Sequence, residues 1–168
     1  ICITCPLGTH VEGSPGQSMT NGGEVVINRY PMGVPKPVLA NGFTGVVKLT
    51  HYLTPAGSKV YQPDFLELPE IVTAHIDGRR IVDITGPANL VTAFKGHYEQ
   101  VASKFGLKPF HIDSWHAGIH PLMGYDMSAS ANPPRWAQTV FTNTRVLHFH
   151  TCGTEPPGEI CWMIIDPT

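Results

Sequence analysis

The segment EIVTAHIDGRRIVDI, residues 70–84, decides how the chain is read. Two runs of alternating apolar residues flank Asp77-Gly78, and that pair between such runs predicts a tight β-hairpin. Directly afterwards the period changes. In PANLVTAFKGHYEQVASKFG (87–106), Leu90, Phe94, His97/Tyr98 and Val101/Ala102 recur at three- and four-residue steps, with Pro87 at the first turn and Gly106 at the end. That spacing predicts one amphipathic helix over about 87–105. Working outward, GEVVINRY (23–30) and GFTGVVKL (42–49) are β-branched and bounded by Gly and Pro, which predicts strands. A short strand around 109–113, a loose stretch over 126–134, and strands near 138–151 and 159–165 complete the pattern. The expected fold class is α+β, a sheet-dominated, mixed or antiparallel β structure with that single main helix.

The chain has 168 residues, 42% hydrophobic and 14% charged, enough for one ordinary core, so 1–168 is expected to be a single domain. Net charge is -2 and no Lys/Arg run stands out, which removes the electrostatic case for nucleic acid or a membrane surface. A small-molecule substrate is the expected partner. No apolar stretch approaches the roughly 20 residues of a membrane span, and no signal-type segment opens the chain, so a soluble, cytoplasmic location is expected. The opening ICITCPLGT reads like the interior of a fold, as in a processed or truncated piece. Cys2 and Cys5 form one C-x-x-C, but Cys152 and Cys161 lack the matching spacing. Reduced, partly buried thiols fit better than a four-thiolate zinc ribbon.

Nine histidines are the unusual feature of the composition. In RVLHFHTCG (145–153), His148 and His150 are two residues apart, so on a strand they share one face, roughly 6–7 Å apart. Taken alone, such a pair reads more readily as one hydrogen-bonded core histidine and its neighbour. HIDSWHAGIHP (111–121) adds His111, His116 and His120 beside Asp113 and Trp115. Pro121 biases His120 away from helix and Gly118 weakens a helical turn, so this segment is expected to be a strand or a strand-end loop. The two segments together predict a mononuclear metal site held by His116, His148 and His150 through neutral imidazoles. His10, His51, His75 and His97 read as ordinary histidines.

The order of motifs carries a resemblance. ITCPLGTH (3–10), the P-x-G turn in YPMGVP (30–35), Asn41-Gly42, LTPAG, HIDGRRIVDITG, the helix, HAGIHP and the late H-x-H strand resemble the C-terminal half of the M29-type metallo-aminopeptidases. They also resemble the 2,5-dihydroxypyridine dioxygenases that share that scaffold. Both relatives carry an additional N-terminal region, so the resemblance implies a missing part, or association as a homo-oligomer or with a partner subunit. The aminopeptidase pattern implies a two-metal site with carboxylates where this chain has Val34 and His116. The dioxygenase pattern implies one iron on two histidines and an aspartate; His116 and His148 match it, and His150 stands in the aspartate's place.

Three neutral histidines leave a divalent ion at about +2 where two histidines and a carboxylate leave about +1, which favours an anionic chelating substrate. The expectation is therefore a non-haem dioxygenase-like protein with one divalent metal ion, Fe(II) before Zn or Mn, that cleaves the ring of a small dihydroxylated aromatic. His120 is the candidate base or hydrogen-bond donor. Tyr125, Thr142 and Asn143 are candidates for substrate contact. The alternatives are a metal-dependent, aminopeptidase-like hydrolase with Glu155 or Glu159 as general base, and a noncatalytic metal-binding subunit.

Overall fold

The computed structural model describes residues 1–14, 38–55, 61–118, 120, 122–143, 146–152 and 160–164. The strand expected at 23–30, the turn at 31–34, and Glu155 and Glu159 lie outside them. Along the described chain run β1 (Cys2–Thr4), β2 (His10–Glu12), β3 (Val38–Leu39), β4 (Thr44–Pro55), β5 (Leu66–Asp77), β6 (Arg80–Thr85), α1 (Ala88–Phe105), β7 (Ile112–Ala117), α2 (Pro133–Thr142), β8 (Leu147–Thr151) and β9 (Ile160–Ile164). The fold is α+β and sheet-dominated, and every strand pairing among the described residues is antiparallel.

β4 organises the nine-stranded sheet. One of its edges pairs with β5; the other takes β2 at its start and β9 at its end. β9 leads on to β8, β7 and β3, and β5 leads to β6. The start of β6 then returns to the approach of β7. Arg80 bridges His111, Ile81 N–H donates to Phe110 O at 2.9 Å, and Ile112 N–H donates to Arg79 O at 2.9 Å. The pairings therefore run in a ring, β4-β5-β6-β7-β8-β9, and the backbone groups at this edge find partners instead of facing solvent.

The hairpin forms where the sequence places it, with one adjustment. Asp77 pairs with Arg80, so the two loop residues are Gly78 and Arg79. Gly78 has φ 58°, the positive value that a tight hairpin asks of its first loop residue and that glycine adopts without strain. α1 buries Leu90, Phe94, His97, Tyr98, Val101 and Ala102, the stripe expected from spacing, and ends on Gly106 at φ 67°. It packs on β5 and β6. Tyr98 stacks on Phe94 at 4.9 Å and its hydroxyl hydrogen-bonds to Thr151 Oγ1, which ties the helix to β8.

Two stretches differ from the sequence reading. The strand expected around 109–113 is set later, at Ile112–Ala117, and reaches His116. The loose stretch and the start of the expected strand at 138 give way to α2. Asn132 caps that helix, its side chain accepting from Arg135 N–H at 3.2 Å, and Pro133 and Pro134 occupy the first turn, where a missing N–H costs nothing. Trp136 and Ala137 then bury against Tyr52 and Val146 in a second apolar cluster.

His97 is the odd member of the α1 stripe. It is 4% exposed, packs edge-on to Tyr61, and neither ring nitrogen has a hydrogen-bond partner among the described residues. Burial lowers its pKa from 6.5 to about 4. The unfolded chain binds this proton below about 6.5 and the fold resists it until about 4, so this contribution is present above that window and is lost as pH falls through it. Between pH 7 and pH 5 the loss is about 2 kcal/mol. A His97→Leu variant is expected to equal or exceed the parent in urea unfolding at pH 7, and to lose less stability than the parent at pH 5 by about that amount. An equal acid loss in both chains overturns this assignment.

Candidate metal centre

β7 and β8 lie side by side with His116 opposite His148 and Ser114 opposite His150. Residues paired across an antiparallel ladder share a face, as do residues two apart on one strand. All three imidazoles are thereby gathered on one side of the sheet. Phe149, between the two β8 histidines, is fully buried in the main core. Ring centroids are 4.2 Å apart for His116 and His150, 5.0 Å for His116 and His148, and 5.1 Å for His148 and His150. One nitrogen of each ring lies within 4.8 Å of the other two.

Burial dominates the electrostatics of the cluster. It pushes His148 down to about 2, helped by His150 and then His116, and His116 down to about 3, helped by His150. Both rings are therefore neutral at ordinary pH. A neutral imidazole keeps one in-plane lone pair, so His116 and His148 each offer an uncharged nitrogen donor.

These residues fit a divalent ion. His116 Nδ1 is buried and meets no hydrogen-bond partner among the described residues, and a nitrogen left so costs roughly 1–3 kcal/mol. A cation beside it would remove that cost. Metal–nitrogen bonds of about 2.1 Å require donors roughly 3–4 Å apart, near the spacing of a group whose nitrogens all lie within 4.8 Å of one another. Imidazole nitrogens suit zinc, copper, iron and nickel.

A polar chain runs away from this cluster. The register of β7 against β8 skips one residue between Ile112 and Ser114, so Asp113 is the extra residue of a β-bulge. Its Oδ1 accepts from Arg79 Nη2 at 2.6 Å and its Oδ2 accepts from Ser114 Oγ at 3.1 Å. Ser114 Oγ is also 3.1 Å from His116 Nε2. Arg79 donates from Nε to Ile112 O at 3.2 Å as well. The sequence displayed Asp113 and Ser114 between histidines, but no spacing rule points to Arg79, 34 residues away.

The other candidates fall elsewhere. His120 bridges Asn143 beyond the end of β7, and its Nδ1 accepts from Leu122 N–H at 3.2 Å. It is not part of the three-nitrogen group. Tyr125 donates from its hydroxyl to Asn132 O at 3.4 Å and packs on the second apolar cluster. Asn143 Nδ2 donates to Met123 O at 2.6 Å, and Thr142 ends α2. His111 stands at the β6–β7 seam. Cys2, His10 and Glu12 form a second close group, but all three are exposed. Cys2, Cys5 and Cys152 are free thiols, and no helix among the described residues is long and apolar enough to cross a membrane.

Set against protein-family models, curated proteins and solved structures, the chain matches none. The purified chain is expected to bind one Co(II) or Zn(II), followed by visible absorption or chelator competition. His148→Ala is expected to weaken binding more than about 100-fold, beyond the usual cost of losing an outer hydrogen bond, while His120→Ala leaves it unchanged.

Proposed function

We propose that the chain is a cytoplasmic, mononuclear non-haem iron enzyme of the dioxygenase type, cleaving the ring of a small dihydroxylated aromatic, with His116, His148 and His150 as the metal ligands. The observation that carries this reading is the meeting of three imidazole nitrogens within 4.8 Å on one face of β7 and β8. Fe(II), when bound, supplies coordination of adjacent substrate oxygens and of O₂, and a path for electrons between them.

The chain's own residues set the conditions for that chemistry. Three imidazole donors contribute no negative charge, so the centre favours a ligand that brings its own, such as a deprotonated diol. The β-ladder fixes the spacing of the rings, because all three are attached to paired strands. His120 lies beyond the end of β7, where its Nδ1 accepts from Leu122 N–H. The family resemblance extends the proposal to assembly with a second copy or with an additional N-terminal region.

Oxygen-electrode traces of the Fe(II)-loaded chain with catechol and 2,5-dihydroxypyridine test the reading. Oxygen uptake with loss of the aromatic absorption is expected with at least one diol and is expected to vanish in His148→Ala. Release of an amine from a dipeptide, with no oxygen uptake from either diol, moves the assignment to the hydrolase reading.

A further inference from the structure

The contacts around Ser114 determine which nitrogen of His116 carries its proton. A serine hydroxyl has one hydrogen to give. Asp113 Oδ2, 3.1 Å away, takes it, because an ionised carboxylate only accepts and Asp113 Oδ1 is already engaged by Arg79. The 3.1 Å contact between Ser114 Oγ and His116 Nε2 must then run the other way, with Nε2–H donating to the hydroxyl lone pair. A neutral imidazole protonated on Nε2 has its lone pair on Nδ1. Nδ1 is the buried nitrogen that meets no partner among the described residues.

We propose that Asp113 and Ser114 are positioning residues for the metal centre: Ser114 Oγ, oriented by the Asp113 carboxylate, holds His116 in the Nε2–H form and so makes Nδ1 its metal-binding atom. This rests on the three-histidine reading above. The bulge is what makes the relay possible. In a regular ladder Asp113 and Ser114 would point to opposite faces; the extra residue lets the Asp113 carboxylate reach the neighbouring hydroxyl. Arg79, fixed in the β5–β6 loop, anchors the far oxygen of that carboxylate. A histidine ligand backed by hydroxyl and carboxylate gains a fixed tautomer, a fixed ring plane and a more basic donor atom.

Two measurements decide the matter. Long-range ¹H–¹⁵N correlation spectra of the metal-free, ¹⁵N-histidine-labelled chain at pH 7 report the His116 tautomer directly. The Nε2–H form is expected in the parent, with Nδ1–H appearing in Ser114→Ala; an Nδ1–H parent overturns the proposal without reference to any metal. Chelator competition with Co(II) then gives affinity. Ser114→Ala and Asp113→Asn are each expected to bind about 10–100-fold more weakly than the parent, with Ser114→Thr keeping the hydroxyl and recovering most of the loss. Unchanged affinity in Ser114→Ala, with circular dichroism matching the parent, also overturns it. A parent that shows the Nε2–H form but binds no Co(II) upholds the relay's tautomer control and sinks the metal reading instead.

Discussion

The contact between the Arg79 guanidinium and the Asp113 carboxylate, 2.6 Å long, is the constraint on which the rest of the molecule turns. Arg79 occupies the loop of the β5–β6 hairpin and Asp113 the bulge of β7, so one ion pair spans the place where the ring of strand pairings closes. Its value is geometric more than energetic. The arginine side chain is 34% exposed and the aspartate 15%, a setting in which ion pairs contribute about 1 kcal/mol or less. What it fixes is direction: the same guanidinium holds a backbone carbonyl of the neighbouring segment and one oxygen of the carboxylate, leaving the other oxygen for Ser114.

From that seam the order spreads in two directions. Toward the core, the start of β6 pairs with the approach to β7, and Tyr98 of α1 reaches Thr151 at the end of β8. The helix that covers β5 and β6 is thus also bonded to the strand bearing two of the histidines. Toward the opposite face, Ser114 and His116 alternate with Trp115, and His148 and His150 alternate with Phe149. One face of the ladder carries the aromatic rings and the other the histidines, both produced by the same pleat.

Much of this was legible in the sequence. Asp77-Gly78 marked the hairpin, the stripe from Leu90 to Ala102 marked α1, and the two-residue spacing of His148 and His150 placed them on one face. Each is a local rule acting over a few residues. α2 was hidden because Pro133 and Pro134 read as loop residues unless the Asn132 cap ahead of them is recognised as the start of a helix. His116, His148 and His150 were expected together from their two segments, but the pairing of His116 with His148 that joins them depends on strand register, which no short motif encodes. Arg79 and Ser114 escaped notice for a related reason: an arginine in a turn and a serine in a strand acquire their roles only once a bulge has put Asp113 between them.

Phe149 deserves a last thought for what its position does to error. It is fully buried between two histidines that face the other way. Slipping β8 by one residue would exchange the faces, placing an aromatic ring among the ligands and two imidazoles in hydrocarbon. Both halves of that exchange cost stability, so a mispaired sheet would lose the packing of Phe149 and the histidine cluster together. An ion captured by the three rings would recognise only the correctly registered ladder and would stabilise it by mass action. With such an ion bound, the histidine face would favour the one alignment in which both faces are right.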